Sequence, residues 1–362
     1  MSIWAESDTP GSSEVCQVVV VGAGPAGSAA AHAAAEAGLE VILIERGDRD
    51  RDKACGDMFV PAAVAILQRL GIDCCALRAV HAASSFGVVE LRAARGLLWQ
   101  VRFPAEPIWV IPRRIVDQML RDSLPSRVRV LYNTTVREIA QPPGDRLWVK
   151  AYQLTGRVVS FRCEAIILAS GAQGRLSEQW GISGDSLIAP SISAYVRNPG
   201  IRLPAFEFLT SCRPGYRWLF PLPDGHANVG ICALGRAKSS ALKSLGRTLT
   251  EAYRVTGEVR WRGSVGGLWS GRGVCWHHVA GVVSCGDAAG LVDPINGEGL
   301  TAALASGQAA GNAIACFLLQ GRDASLLTNY SKWVRATFSV KYGPSPVRLA
   351  WRQLTGISAA HL

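Results

Sequence analysis

Gly22-Ala23-Gly24-Pro25-Ala26-Gly27 follows directly on four valines, Val18 to Val21. An alanine-rich run comes next, then a second apolar stretch, Val41 to Ile44, closed by Glu45 and Arg46. The order is strand, tight glycine turn, helix, strand, acid, and each part has a physical task. Gly22 turns the chain out of the strand, Gly24 lets backbone approach a pyrophosphate, and Gly27 lets the helix lie close on the strand. The helix that starts at Pro25 presents the free N–H groups of its first turn, from Ala26 onward, and a positive dipole end to phosphates. Glu45, 23 residues beyond Gly22, is placed to accept hydrogen bonds from an adenosine ribose. The pattern predicts a dinucleotide site. A buried βαβ unit with no ligand shares the glycines but leaves the acid at the end of an apolar strand unexplained.

Three further segments hold residues that could do chemistry. KACGDM, 53–58, places Cys55 and Gly56 in a polar loop ahead of Pro61. GYRWLFPLPDGHANVGI, 215–231, carries Tyr216 and Trp218, and GDAAGLVDPINGEGL, 286–300, carries Gly286, Asp287, Gly297 and Gly299. In order and spacing, over roughly residues 16–315, these segments resemble three motifs of the geranylgeranyl reductase family of flavoproteins. The motifs are K-x-C-G-(D/G)-G-L-x-P, G-Y-x-W-x-F-P and GDAAG-x-x-x-P-x-x-GEG. Flavin halogenases and aromatic hydroxylases are related to that family.

The resemblance implies FAD as cofactor. Asp287 then accepts hydrogen bonds from ribityl hydroxyls. A helix starting near Gly297 sets N–H groups beside the pyrimidine edge of the flavin, where negative charge develops on reduction. Arg113, followed by Arg114 in PRRIVDQML, contacts FAD from the next helix. Thr135 and Val136 line the adenine pocket, Gly171 sits in the turn after a further buried strand, and Cys55 lies by the isoalloxazine ring. Plainer readings exist for each: an N-cap for Asp287, a solvated pair for Arg113 and Arg114, a small packed residue for Cys55.

The elements that must position these residues follow from periodicity. Strands are expected at 86–111, 127–132, 146–153, 157–162 and 165–172, and helices at 61–70 and over RRIVDQMLRDSL. Residues 190–270 read as antiparallel sheet interrupted by a helix at 239–256. The strand at 279–290 ends in a glycine turn and precedes a small-residue helix. Strands ending in glycine turns at the start, middle and end of the chain must meet in one sheet. The expected fold is α/β: a Rossmann-like FAD-binding domain of the glutathione-reductase type, interleaved with an antiparallel-sheet substrate domain. The expected boundaries are 15–84, 112–185 and 272–320 for the first, 85–111 and 186–271 for the second, and a short C-terminal helical region at 321–362.

Composition narrows the function. The chain has 362 residues, 49% hydrophobic and 18% charged, enough for a large core. Residues 1–14 read as a loose leader without the apolar centre of a signal peptide. The uncharged stretches 15–35 and 299–321 are broken by Gly, Ser and Gln, so no integral membrane segment is expected. The ten cysteines include no CxxC pair and are expected reduced and buried, in a cytoplasmic protein. The net charge of +10 is spread along the chain without a Lys/Arg cluster, which argues against nucleic acid as a partner. His277 and His278, near Cys275, lack a second ligand cluster, and no metal is expected.

Cys55 and Tyr216 are the candidate proton donors, with Trp218 beside them. Trp99, Trp109, Phe206, Phe208, Trp218 and Trp269 are candidates for the wall of an apolar pocket, suited to an isoprenoid-like or polyketide-like small substrate. Halogenation is disfavoured: Tyr216 and Phe220 depart from the halogenase W-x-W-x-I-P, and no Lys lies between Lys53 and Lys150. Gln173 stands where direct-NADPH hydroxylases carry Asp. The reactions left open are C=C reduction or desaturation through flavin N5, monooxygenation through a flavin C4a-hydroperoxide, and cyclisation with FAD as a structural element. No second GxGxxG follows another strand. The electron source is therefore expected to be transiently docked NAD(P)H or a partner flavin or ferredoxin reductase.

Overall fold

Four valines in a row, buried on both faces, fit the middle of a parallel sheet covered by helices. In the computed structural model Val18–Val21 is the middle strand of five, flanked in order by Ala165–Leu168 and Val282–Ser284 on one side and by Val41–Ile44 and Val128–Leu131 on the other. All four pairings are parallel. The structure describes residues 13–341 except 94–95, 143–144, 173–175, 177–178, 181–187, 199, 209–214, 234–243, 245, 248–249, 252, 254, 256–258 and 268–280. Much of the helix expected at 239–256, and Gln173, Trp269, Cys275, His277 and His278, fall outside the described residues.

The described helices are α1 (Pro25–Glu36), α2 (Pro61–Arg69), α3 (Cys74–Ala79), α4 (Arg113–Asp122), α5 (Leu300–Leu319) and α6 (Ala324–Lys341). Proline opens both α1 and α2, where its fixed φ suits the first turn and its missing N–H costs nothing. α1 lies against α5, and small residues let the two backbones nearly touch. A Cβ on Gly307 would come within 2.2 Å of the Ala26 carbonyl oxygen, and one on Gly311 within 2.3 Å of that of Ala30. α5 is apolar and long enough to cross a membrane by length and composition. Its small-residue face is buried against α1, and Tyr330 of α6 donates a hydrogen bond to the Ser284 carbonyl beside it.

A second, seven-stranded sheet runs in the order Arg262–Gly267, Ile188–Arg197, His226–Ala233, Gly215–Pro221, Ala205–Phe208, Val88–Ala93, Gly96–Arg102. Its pairings are antiparallel except that of Ala205–Phe208 with Val88–Ala93. Alternation sorts its two faces. Phe206, Tyr216, Trp218 and Phe220 share one apolar cluster, while Ala205 and Leu219 join another on the far side. The interleaved α/β fold expected from the sequence is the one observed.

Two smaller sheets were not legible in the sequence. Met58–Phe59, Ile108–Val110 and Ser84–Phe86 form one. Thr134–Ala140, Leu147–Gln153 and Val158–Cys163 form the other, with Glu14–Val15, whose first residue is the last of the expected leader, paired parallel along its edge. The first of these sheets turns Trp109 away from the substrate side and into the core with α2 and α4. Trp109 therefore does not line the pocket.

Gly307→Val is expected to force α1 and α5 apart and to lower the unfolding free energy by about 2 kcal/mol or more. Urea unfolding checks this; an unchanged midpoint would mean that the helices do not need this contact.

Candidate functional site

The glycine turn is a close-packed object. Gly22 adopts φ +103°, and a Cβ on Gly27 would lie 1.7 Å from the Gly22 carbonyl oxygen. No side chain can occupy either position without opening the turn. Glu45 is buried, and its carboxylate accepts the Ala23 and Gly47 N–H groups, each at 2.8 Å. Arg46 beside it is exposed. Val136 is buried in the strand next to this turn, whose first residue, Thr134, donates its N–H to the Glu45 carbonyl at 2.9 Å. Gly171, at φ +78°, follows the neighbouring strand.

The other motifs close on the same place. Gly286, at φ +60°, sits so near α1 that a Cβ would come 2.8 Å from the Ala26 methyl. Lys53 from the KACGDM loop reaches the Asp287 carboxylate at 3.4 Å. The Tyr216 hydroxyl donates to the Asn296 carbonyl, beside Gly297, and a Cβ on Gly297 would strike that hydroxyl at 2.6 Å. Gly299 is the N-cap of α5, and the Glu298 carboxylate accepts the Thr301 N–H at 2.7 Å.

A cavity of about 1050 Å³ lies between these motifs and the seven-stranded sheet. Of the expected site residues, Pro25, Cys55, Gly56, Arg113, Tyr216, Trp218, Asp287, Gly297 and Gly299 line it. Trp99 and Phe206 line it too, whereas Phe208 packs behind Tyr216. Phe206 meets Tyr216 and Phe220 edge-on, with ring centroids 5.3 and 5.2 Å apart. Such pairs add about 1 kcal/mol beyond burial. Burial pushes the Cys232 thiol on this wall up to about 12, and raises Tyr216 well above the ordinary tyrosine range. Both keep their protons at neutral pH, so the wall carries no charge. Met58, where the resembled motif has glycine, also faces the cavity.

What holds the Cys55 loop is a buried polar knot centred on Asp57, a residue the sequence did not single out. Asp57 has φ +62° and is buried. One carboxylate oxygen accepts the Arg113 N–H at 3.0 Å; the other accepts the Tyr195 hydroxyl at 2.7 Å and the Asn228 amide at 2.6 Å. The Asn228 amide also donates to the Cys55 carbonyl at 2.7 Å, and its oxygen accepts the Trp218 indole N–H at 2.8 Å. The Arg113 guanidinium pairs with Asp117 at 2.9 and 3.1 Å and reaches the Cys55 sulfur at 3.6 Å. Burial alone would lower the Arg113 pKa, but the Asp117 carboxylate outweighs it and keeps the guanidinium charged. The sheet, α4 and the loop thus meet at one carboxylate. An alternating hydrophobic strand with a polar residue on its inner face, Asn228 in HANVGICA, was the available signal.

The residues fit FAD. The N-cap of α1, Gly24, supplies no side-chain hydrogen bond to the first turn, so anion binding there is open. Arg51 lies across it: its terminal nitrogens are 3.6 Å from Glu45 and 4.0 Å from Asp117, and its Nε is buried without a partner. A pyrophosphate would meet an unsatisfied donor and the helix N-terminus together. Glu45 would hold the ribose, and Asp287 and the start of α5 the flavin end.

Two outcomes are expected. Glu45→Ala removes one buried and one partly buried hydrogen bond to a charged acceptor, and should lower stability by about 3 kcal/mol and FAD affinity at least tenfold; fluorescence titration with FAD and urea unfolding check both. The second concerns pH. Burial raises Asp57 from 3.8 to about 6, against the lowering effect of its hydrogen bonds. Protonation therefore favours the folded chain: this contribution is full below about pH 4 and is lost as pH rises through 6. The stability of the wild type relative to Asp57→Asn should fall by up to about 3 kcal/mol between pH 4 and 7. A difference that is flat in pH contradicts the assignment.

Comparison with known proteins agrees with this geometry. A family model described as an FAD binding domain matches residues 15–210. A menaquinone reductase of Mycolicibacterium smegmatis is 35% identical, with the match covering 81% of this chain and 75% of the relative. A digeranylgeranylglycerophospholipid reductase of Methanothrix thermoacetophila is 29% identical over 83% of this chain and 78% of the relative. Among solved structures, a geranylgeranyl bacteriochlorophyll reductase-like protein of Thermoplasma acidophilum superposes with a TM-score of 0.80 at 22% identity, covering 96% of this chain and 89% of that one. A myxobacterial chondrochloren halogenase gives 0.75 at 23% identity, covering 94% and 83%. These two share the fold. With the matched family model, the relatives' identity and the converging motifs, the chain belongs to the geranylgeranyl reductase family of FAD-dependent oxidoreductases.

Proposed function

We propose that the protein reduces a carbon–carbon double bond, or in reverse introduces one, in an apolar isoprenoid-like lipid. The observation that carries this reading is the uncharged aromatic wall of Phe206, Tyr216, Trp218 and Phe220, which lines the cavity together with the Cys55 loop. The names of the relatives, a menaquinone reductase and a digeranylgeranylglycerophospholipid reductase, point to the same class of substrate.

When bound, FAD supplies a hydride from its N5. The protein's own part is to hold the double bond flat against the flavin, exclude water and supply a proton to the other carbon. The aromatic wall and Met58 do the first two. For the third, Cys55 is the better placed donor. It is half-buried on the cavity wall, and the Arg113 guanidinium fixes its sulfur at 3.6 Å. The Tyr216 hydroxyl is already given to the Asn296 carbonyl, and its work is to fix the loop that carries Gly297. The electrons come from NAD(P)H or from a partner flavin or ferredoxin reductase.

The test is to reduce the holoprotein anaerobically and mix it with a polyunsaturated prenyl quinone or prenyl glycerolipid. The reading expects flavin reoxidation without air and a product that has gained two hydrogens. It fails if reoxidation needs air and the product gains oxygen, or if the oxidised protein rearranges the substrate with no change in mass. Cys55→Ala should retain FAD and lower kcat on the order of 10²-fold. A kcat within a few-fold of wild type removes Cys55 from the reaction.

A further inference from the structure

The outermost strand of the seven-stranded sheet, Gly96–Arg102, has the sequence GLLWQVR and, among the described residues, pairs on one side only. Edge strands facing water are normally short, or guarded by Lys, Pro or a bulge at the rim. This one is seven residues long with neither Lys nor Pro; a bulge shifts its register opposite Leu91 and Arg92, beside Trp99, which is 68% exposed. The same strand forms the mouth of the cavity: of the residues that line it, Trp99 and Arg102 are the exposed ones. Inward from Trp99, the wall continues through Val101 and Leu91 to Phe206. An apolar path therefore runs from the surface to the Cys55 loop without a polar lid among the described residues.

The exposed charged residue that lines that mouth, Arg102, is a cation. Residues 88–102 include Arg92, Arg95 and Arg102 against Glu90 alone, in a chain of net charge +10. Arg92 is paired with Glu90, which leaves the exposed Arg102 as the cation at the rim. A tryptophan at the edge of an apolar opening with an arginine beside it matches the headgroup level of a bilayer, where the indole ring and a cation are both favourable. A second copy of the chain paired along this edge would instead cover the mouth.

We propose that the hairpin of Val88–Ala93 and Gly96–Arg102 rests on an anionic phospholipid surface. Trp99 lies at headgroup level, Arg102 faces lipid phosphate, and the prenyl chain passes from the leaflet into the cavity without crossing water. This rests on the isoprenoid reading above. The probe is the FAD-loaded protein sedimented with phosphatidylcholine vesicles, with and without phosphatidylglycerol. The wild type should sediment with the anionic vesicles, and Trp99→Ala and Arg102→Glu should each weaken binding about fivefold or more while retaining FAD and thermal stability. The proposal is overturned if the wild type stays in solution with both vesicles, or if both variants bind like the wild type. It is also overturned if sedimentation velocity shows a dimer that Trp99→Ala dissociates. Vesicle binding without turnover of any prenyl lipid would sink the substrate reading and leave the docking face. Turnover of detergent-dispersed prenyl lipid by a wild type that binds neither vesicle would do the reverse.

Discussion

One buried carboxylate fixes the relation between the two halves of the molecule. Asp57 accepts hydrogen bonds from α4 through the Arg113 N–H and from the seven-stranded sheet through Tyr195 and Asn228. Removing a charge from water is costly unless donors replace the solvent. Three donors do so here, and burial still dominates enough to raise the acid. The same knot holds Cys55 by its carbonyl and Trp218 by its indole N–H, so loop and cavity wall are placed together. Arg262 adds an outer tie, pairing with Asp52 and lying 4.2 Å over the Tyr195 ring.

The cofactor side is built by close approach rather than by polar contacts. Gly27 seats α1 on the first turn, Gly286 seats the third motif on Ala26, and Gly307 and Gly311 bring α5 against α1. Interiors this tight admit no extra methyl without displacement. Two helix N-termini and two arginines with buried, unpartnered Nε atoms, Arg51 and Arg121, face the same region. A cofactor with an anionic middle and an electron-accepting ring suits that arrangement of charge.

Much of this was legible in the sequence because it depends on local pattern. Val18 to Glu45 spelled out a strand, turn, helix, strand and acid, and period-two runs marked most of the second sheet. The GDAAG and GYRWLFP segments pointed to residues that do line one cavity. What was not legible depends on distant partners. Asp57 becomes central only because Tyr195 and Asn228 arrive from strands more than a hundred residues away. Trp109 and Trp99 look alike as aromatic residues on strands. Pairing with Met58–Phe59 sends the first into the core, and an edge position leaves the second at the surface. The tie between the Tyr216 hydroxyl and the Asn296 carbonyl likewise joins segments 80 residues apart.

The central claim is that the cavity serves hydride transfer to or from a carbon–carbon double bond, with the protein supplying shape, dryness and a proton. Replacing FAD by 5-deaza-FAD tests it most directly, because the deaza cofactor carries hydride but does not activate oxygen. The protein loaded with reduced 5-deaza-FAD should still saturate a prenyl lipid double bond, though more slowly than with FAD. A protein active on that lipid with FAD and inert with reduced 5-deaza-FAD would contradict the account.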